Sequence, residues 1–137
     1  MAGNLDIDAV LLIDAANVIG SRPTGWWRDR AGAARDFVEL LRRATRHGRL
    51  DRPTVVVLEG AARRGMAEGD VDGVRVVHAS GSGDDALVAW AAAGTDVTLV
   101  SADRRLLDRV RELGAETLSP SWLNAHLYPN DGPRTRL

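Results

Sequence analysis

Short, uninterrupted apolar segments recur along the chain, and amphipathic segments separate them. The clearest apolar segments are residues 9–13 and 54–58, which read AVLLI and TVVVL. A continuous apolar run of this length is typical of a strand that is buried on both faces, as strands in parallel sheets are. Further strands are predicted at 74–77, 97–100 and 116–118. The pattern therefore predicts an α/β domain with a mostly parallel sheet of about five strands.

The segments between the predicted strands have the spacing of helices. In residues 31–46, apolar side chains recur every three or four positions, and Gly48 follows as a helix terminator. Residues 61–68 are either a short helix or irregular. Further helices are predicted at 84–93, 103–113 and 120–127. Helices that connect parallel strands lie on both faces of the sheet.

The chain has 137 residues, of which 45% are apolar and 27% are charged. This length and composition are typical of one globular domain. We expect residues 1–129 to form that domain and residues 130–137 to form a polar tail. The first residues lack a secretory signal, and no apolar run is long enough to cross a membrane. A cytoplasmic location without a membrane partner is therefore expected.

Two amino acids are missing from the sequence, and several enzyme classes are excluded as a result. Because there is no cysteine, the chain has no disulfide, no thiol nucleophile and no cysteine-ligated zinc or iron–sulfur cluster. The chain also has no lysine, since all 18 residues in its Lys+Arg total are arginines. P-loop NTPases, Schiff-base enzymes and PLP enzymes each need a lysine amine, so these classes are excluded as well.

Acidic residues follow four of the predicted strands, close to the point where each strand ends. These residues are Asp14, Glu59, Asp84, Asp85 and Asp103. Because the carboxyl ends of parallel strands meet at one edge of the sheet, we expect the carboxylates to lie near one another. Carboxylates packed together repel unless a proton or a cation intervenes, and oxygen ligands favour Mg²⁺ or Mn²⁺. The pattern therefore predicts a divalent-cation site that acts on phosphodiesters.

Each of these residues also has a purely structural interpretation. Asp14 and Asn17 would then begin a loop, although Asn17 could instead orient Asp14 or a water. Glu59 would face solvent. One of Asp84 and Asp85 is expected to cap the helix that follows, and we favour Asp85 as the metal ligand. A purely structural explanation would have to hold at all four strand ends at once, and this favours the metal hypothesis.

Two serines accompany the acidic residues. Ser82 lies in a Gly-Ser-Gly turn, where backbone N–H groups could bind a phosphate. Ser101 is a candidate cap for the helix predicted at 103–113.

A tryptophan pair with neighbouring arginines forms an unusual loop. Trp26 and Trp27 are followed by Arg28 and Arg30, and residues 22–52 contain nine arginines but only four acidic residues. One interpretation is a hydrophobic flap on the core or a contact in a homodimer. The other is a surface that stacks nucleobases and contacts phosphates.

The order of these motifs resembles that of NYN nucleases, a branch of the PIN-like superfamily. Residues 12–19 (LIDAANVI) resemble the opening strand of that family, in which Asp is followed three residues later by Asn. Residues 55–60 (VVVLEG) are similar to the second strand, with Glu in place of the usual Asp. Residues 81–87 (GSGDDAL) match a helix start with one or two Asp, and residues 97–104 (VTLVSADR) resemble a V-T-S-D-R strand end with one extra Ala. The resemblance covers roughly residues 9–125.

The resemblance implies a three-layer PIN-like fold with sheet order 3-2-1-4-5. It also implies Mg²⁺- or Mn²⁺-dependent hydrolysis of single-stranded or structured RNA. Asp14, Asp85 and Asp103 would hold the metal, with help from Asp84 and Glu59, and Asn17 would orient a ligand or the scissile phosphate. The residues expected to bind substrate are Trp26, Arg28, Ser82, Ser101 and Arg104.

Two other functions remain open on the same residues. The first is a metal-dependent phosphohydrolase that acts on small nucleotides, which would need a closed pocket. The second is a domain of the same fold that binds RNA or protein without catalysis, which would be expected to lack a central carboxylate. Asp14, Asp85 and Asp103 are all present.

Overall fold

A computed structural model describes residues 9–94 and 96–128, and it contains one sheet of six strands. The strands are β1 (Ala9–Asp14), β2 (Thr54–Leu58), β3 (Gly69–Val71), β4 (Val74–His78), β5 (Asp96–Val100) and β6 (Glu116–Leu118). Their order in the sheet is β3-β4-β2-β1-β5-β6, and only the β3–β4 pair is antiparallel. The five predicted strands are present in the predicted order, and β3 is a sixth strand that was not predicted.

The helices are α1 (Ala15–Gly20), α2 (Arg30–Arg46), α3 (Gly83–Ala93), α4 (Arg104–Glu112) and α5 (Pro120–Leu127). Two 3₁₀ segments, Trp26–Arg28 and Gly60–Gly65, lie between them. The second replaces the short helix considered at 61–68. The helix α1 was not predicted, whereas α2 to α5 lie within one residue of their predicted bounds. Within the described part of the chain, no helix combines the length and the apolar character that a bilayer crossing requires.

Alternate side chains of the central strands enter two separate cores. Leu11 and Ile13 of β1 pack in a core with Phe37 and Leu41 of α2, and α5 contributes Leu123 to the same side. On the other face, Leu12 packs in a core with buried residues of α3 and α4, namely Leu87, Ala91, Leu106 and Val110. Burial on both faces explains why these strands are continuously apolar in sequence. The three-layer arrangement agrees with the prediction.

The unpredicted strand β3 belongs to a tight hairpin. Asp72 and Gly73 connect β3 to β4 with φ values of 54° and 81°, so both central residues of the turn are left-handed. Asp-Gly is a preferred pair for such a turn, because its twist matches that of the paired strands. The polar tail predicted at 130–137, together with residues 1–8, 95 and 129, lies outside the described residues.

Candidate active site

The acidic residues that follow the central strands lie at one edge of the sheet. β1 lies between β2 and β5, so Asp14 at the end of β1 has Glu59 after β2 on one side and Ser101 after β5 on the other. Asp84, at the amino end of α3, lies near the same edge, since its charge raises the pKa of the Asp14 carboxyl group. The carboxyl ends of the parallel strands therefore form the site, as open α/β sheets commonly do.

Asp14 is the most buried of these carboxylates, with 7% of its surface exposed. Its Oδ2 accepts a 2.8 Å hydrogen bond from the Ser101 hydroxyl, and its Oδ1 accepts a 3.3 Å bond from the backbone N–H of Asn17. Burial raises the pKa of Asp14 to about 6, the two hydrogen bonds oppose that rise, and the charges of Asp84 and Glu59 add to it. Ionised Asp14 is therefore unfavourable in this place unless a cation approaches it.

Asn17 and Asp103 connect the corner after β1 to the loop after β5. The Asn17 side-chain oxygen accepts a 2.8 Å bond from the backbone N–H of Ala102. The Ser101 hydroxyl, besides donating to Asp14, accepts a 3.1 Å bond from the N–H of Asp103. Asp103 Oδ1 accepts bonds from the N–H groups of the second and third residues of α4, and it is therefore the cap of that helix. The prediction that Ser101 caps this helix was wrong, because Asp103 is the cap.

The two adjacent aspartates of α3 have different surroundings. The hydroxyl of Ser82 accepts bonds from the N–H groups of Asp84 and Asp85, so Ser82 is the helix cap, and the prediction that one aspartate would be the cap was wrong. Burial raises the pKa of the half-buried Asp84, and so do the charges of Asp103 and Glu59, while Arg109 opposes the rise. Asp85 is exposed and forms an ion pair with Arg109 at 3.3 Å. The structure therefore groups Asp84 with Asp14, Glu59 and Asp103, although the sequence favoured Asp85.

Glu59 is held against the start of α3. Its Oε1 accepts a 2.9 Å hydrogen bond from the backbone N–H of Gly83. A Cβ atom at position 83 would lie 2.9 Å from the Glu59 carboxyl carbon, so a larger residue there would require the Glu59 carboxyl group to move. The half-buried Glu59 adds negative charge beside both Asp14 and Asp84. Arg109 is a basic residue beside this group, and it was not predicted from the sequence. Its place on the helix that follows Asp103 was the one sequence feature that could have pointed to it.

Whether a divalent ion suits these residues depends on how many ligands it needs. Among the described residues, no three acidic or histidine side chains are arranged as a ready-made metal centre. Mg²⁺ is commonly held by one or two carboxylates, with water and substrate oxygens completing its shell. The carboxylates of Asp14 and Asp84 suit an ion of that kind, because the pKa of each is raised and the charge of Asp84 acts on Asp14. They do not form an all-protein cage.

Two grooves lie beside the site, and each is lined by one of its residues. On the β5 side, a cavity of about 570 Å³ is lined by Ser101, Arg104 and Arg111. On the β2 side, a cavity of about 440 Å³ is lined by Glu59 and Trp26. Of the residues expected to bind substrate, Arg104, Ser101 and Trp26 therefore line a groove. Arg28 lies beside the exposed ring of Trp27, 5.6 Å from its centre, and Ser82 is engaged as a helix cap.

The fold is similar to that of a solved bacterial protein. The crystal structure of Rae1 (YacP) from Bacillus subtilis, determined for its W164L mutant, superposes with a TM-score of 0.62 and 18% sequence identity. The match covers 88% of this chain and 74% of the Rae1 chain. No protein-family model matches the sequence, and no curated protein matches it either. At this identity the likeness concerns the fold alone, and it agrees with the predicted PIN-like architecture of a mostly parallel sheet between helical layers.

Proposed function

We propose that this protein is a metal-dependent ribonuclease that hydrolyses RNA phosphodiester bonds at the carboxylates around Asp14. The observation that carries the proposal is the Asp14 carboxyl group itself. It is buried, it accepts two hydrogen bonds, and burial together with two neighbouring carboxylates raises its pKa to about 6. A residue that only begins a loop needs none of these features, whereas perturbed carboxylates in a cleft are typical of functional sites.

The residues of the site divide into ligands and positioning residues. Asp14 and Asp84 would hold Mg²⁺ or Mn²⁺, with Glu59 and Asp103 as the neighbouring negative charges. A divalent ion bound there would stabilise the charge that develops on the scissile phosphate and would lower the pKa of the attacking water. Ser101 keeps the Asp14 carboxylate in one orientation. Asn17 fixes the loop that carries Ser101, through its bond to Ala102.

The arginines in the β5-side groove would bind the RNA backbone. Arg104 lines this groove beside Ser101, and Arg111 lies further along it, where it donates a 2.8 Å bond to Thr117. Guanidinium groups bind phosphate oxygens bidentately and remain charged at all physiological pH values. A strand that follows this groove would bring a phosphate to Asp14.

A polymer substrate suits the site better than a small nucleotide does. The groove lined by Ser101 and the groove lined by Glu59 lie on opposite sides of β1, so the carboxylates lie between two cavities and not inside one. A phosphohydrolase for small nucleotides needs one pocket that surrounds its substrate. Non-catalytic binding alone would not require a buried carboxylate with a raised pKa, because burying such a group is unfavourable.

The test is metal-dependent cleavage by wild type and by Asp14→Asn. We expect wild type to cleave labelled RNA with Mn²⁺ or Mg²⁺ and to lose that activity with EDTA. Asp14→Asn should fold normally and show no cleavage. Asp51→Asn is the matched control, because its side chain is 91% exposed and it precedes β2 at the opposite edge of the sheet. Cleavage by Asp14→Asn at the wild-type rate would refute the proposal, and faster hydrolysis of free nucleotides than of RNA would favour the phosphohydrolase.

A further inference from the structure

We infer that the groove on the β2 side of the site binds one unpaired nucleobase of the RNA, and that the enzyme therefore requires single-stranded substrate. This inference rests on the ribonuclease function proposed above and specifies its substrate. We call this cavity the base pocket. It has a volume of about 440 Å³ and is lined by residues that include Ala15, Ala16, Trp26, Arg30, Glu59 and Gly81.

The base pocket is continuous with the carboxylate site. Ala15 and Ala16 directly follow Asp14 in the chain, and Glu59, whose charge acts on Asp14, also lines the pocket. A nucleotide whose base enters this cavity would therefore hold its own phosphates close to the carboxylates. Its volume lies in the range of about 300–1,000 Å³ that small-molecule pockets occupy.

Trp26 provides a wall that is already held in place. The residue is half-buried, and its indole lies beside Gly20, where a Cβ atom would come within 3.5 Å of Cζ2. Trp27 packs edge-on against it, with ring centres 6.0 Å apart and planes at 87°. Because neighbours on two sides restrain the indole, stacking a base on it loses little side-chain entropy. Every nucleobase has a face that can stack on such a ring.

The charges around the pocket favour a base over a phosphate. The Glu59 carboxylate repels phosphate, and it accepts hydrogen bonds from base amino and imino N–H groups. Its Oε1 already accepts from Gly83, which leaves Oε2 for such a donor. Arg30 is exposed, and its guanidinium lies over the Trp26 ring, 5.3 Å from the ring centre. Within the described residues Arg30 has no ion-pair partner, so it can contact the phosphate that flanks the bound base.

A base in this pocket must be unpaired and unstacked from its neighbours. Paired bases in an A-form duplex do not present their faces to side chains, and proteins that read bases on aromatic rings therefore select single-stranded regions. The pocket thus accounts for a preference for single-stranded RNA. The carboxylates alone do not provide this preference, because they act on the phosphate, which is chemically similar in every RNA.

The experiment measures binding in the Asp14→Asn background, which prevents cleavage. The probes are fluorescein-labelled octanucleotides of A, C, G or U, alone or annealed to their complement, and the readout is fluorescence anisotropy. We expect single strands to bind at least about tenfold more tightly than duplexes, and Trp26→Leu to weaken single-strand binding about tenfold. Trp26→Phe should stay within about threefold, because a smaller aromatic ring still stacks. Leu113→Ala is the control, since Leu113 is 47% exposed, follows the last residue of α4 and does not line the pocket.

A second measurement keeps the inference testable if Trp26→Leu folds poorly. Octanucleotides with one abasic site at each successive position should show one position where base removal weakens binding about tenfold. That position-specific loss should persist in Trp26→Phe, whose smaller ring still stacks. It should disappear in any Trp26→Leu protein that folds, because the stacking contact is then already gone.

The outcomes separate this inference from the ribonuclease function. Unchanged binding in Trp26→Leu, equal losses for single strands and duplexes, or no sensitive abasic position would each overturn the base pocket. The function would stand in those cases if wild type still cleaves RNA with Mn²⁺. If wild type cleaves no RNA and Asp14→Asn binds none, the function itself fails and the inference fails with it.

Discussion

The hydroxyl group of Ser101 donates a 2.8 Å hydrogen bond to Oδ2 of Asp14, although the two residues are 87 positions apart in the chain. The bond joins the ends of β5 and β1, the neighbouring strands between which the strand order reverses. Ser101 is 2% exposed and Asp14 7%, so the bond is shielded from water. It favours the ionised carboxylate and opposes the burial that raises the pKa of Asp14.

Replacing Ser101 with alanine should therefore destabilise the fold in a pH-dependent way. Without the hydroxyl donor, the pKa of Asp14 rises above its value of about 6. Ionised Asp14 then becomes less favourable, and we expect a loss of about 1–3 kcal/mol in unfolding free energy at pH 8. At pH 4.5 the carboxyl group is largely protonated and the loss should be smaller. Urea unfolding with EDTA at the two pH values measures this, and an equal loss at both would contradict the account.

Replacing Asp14 with asparagine should stabilise the metal-free protein at high pH. The pKa of Asp14 is about 6 in the fold, against an ordinary value of 3.8, so the folded state holds the proton more tightly. The stability contributed by protonated Asp14 is complete below pH 3.8 and is lost as the pH rises through about 6. Asparagine resembles the protonated form and should add up to about 3 kcal/mol at pH 8 and almost nothing at pH 4. Urea titrations across this range, with Asp51→Asn as control, would contradict the prediction if Asp14→Asn destabilised the fold equally at every pH.

The adjacent residues Asp84 and Asp85 should differ in their effect on metal binding. The charge of Asp84 acts on Asp14, whereas Asp85 is exposed and paired with Arg109. We expect Asp84→Asn to weaken Mn²⁺ binding at least about tenfold in calorimetry, and Asp85→Asn to stay within about threefold. The same Asp84→Asn change should lower the pKa of Asp14 by removing a repulsive charge. Stronger loss in Asp85→Asn than in Asp84→Asn would restore the ligand choice that the sequence favoured.

A substitution at Gly65 tests how closely the second 3₁₀ segment packs against α2. A Cβ atom at this position would overlap the backbone carbonyl oxygen of Ala31, and backbone cannot yield as a flexible side chain can. We expect Gly65→Ala to lower the unfolding free energy by about 2 kcal/mol. Gly81→Ala is the control, because a Cβ atom there has no heavy atom within 4 Å. Equal midpoints of urea unfolding for the two variants would show that this contact is absent.

The sequence predicted the elements whose burial determines their pattern of apolar residues. The strands β1, β2 and β5 are covered on both faces, so the apolar runs that end at Ile13, Leu58 and Val100 could be recognised directly. β3 was missed because its three residues are all exposed and have no apolar periodicity. The Asp72-Gly73 pair was nevertheless a usable hairpin signal. α1 was missed because six residues are too few to show a helical repeat.

The site could be predicted as a group of residues, but the direction of each side chain could not. Which of Asp84 and Asp85 turns toward Asp14 depends on where α3 begins, and successive helix residues point about 100° apart. Ser82 sets that beginning by capping the helix. The link from Ser101 to Asp14 depends on the pairing of β1 with β5, which is a tertiary property.

The central claim is that a divalent cation binds among the carboxylates around Asp14. Crystals soaked in Mn²⁺ and measured at a wavelength with anomalous scattering from manganese test it most directly. The account predicts a peak about 2.2 Å from a carboxylate oxygen of Asp14, with Asp84 as the next nearest protein ligand, and no peak in Asp14→Asn crystals. A fully soaked wild-type crystal with no peak at this edge of the sheet, or with its peaks elsewhere, would contradict it.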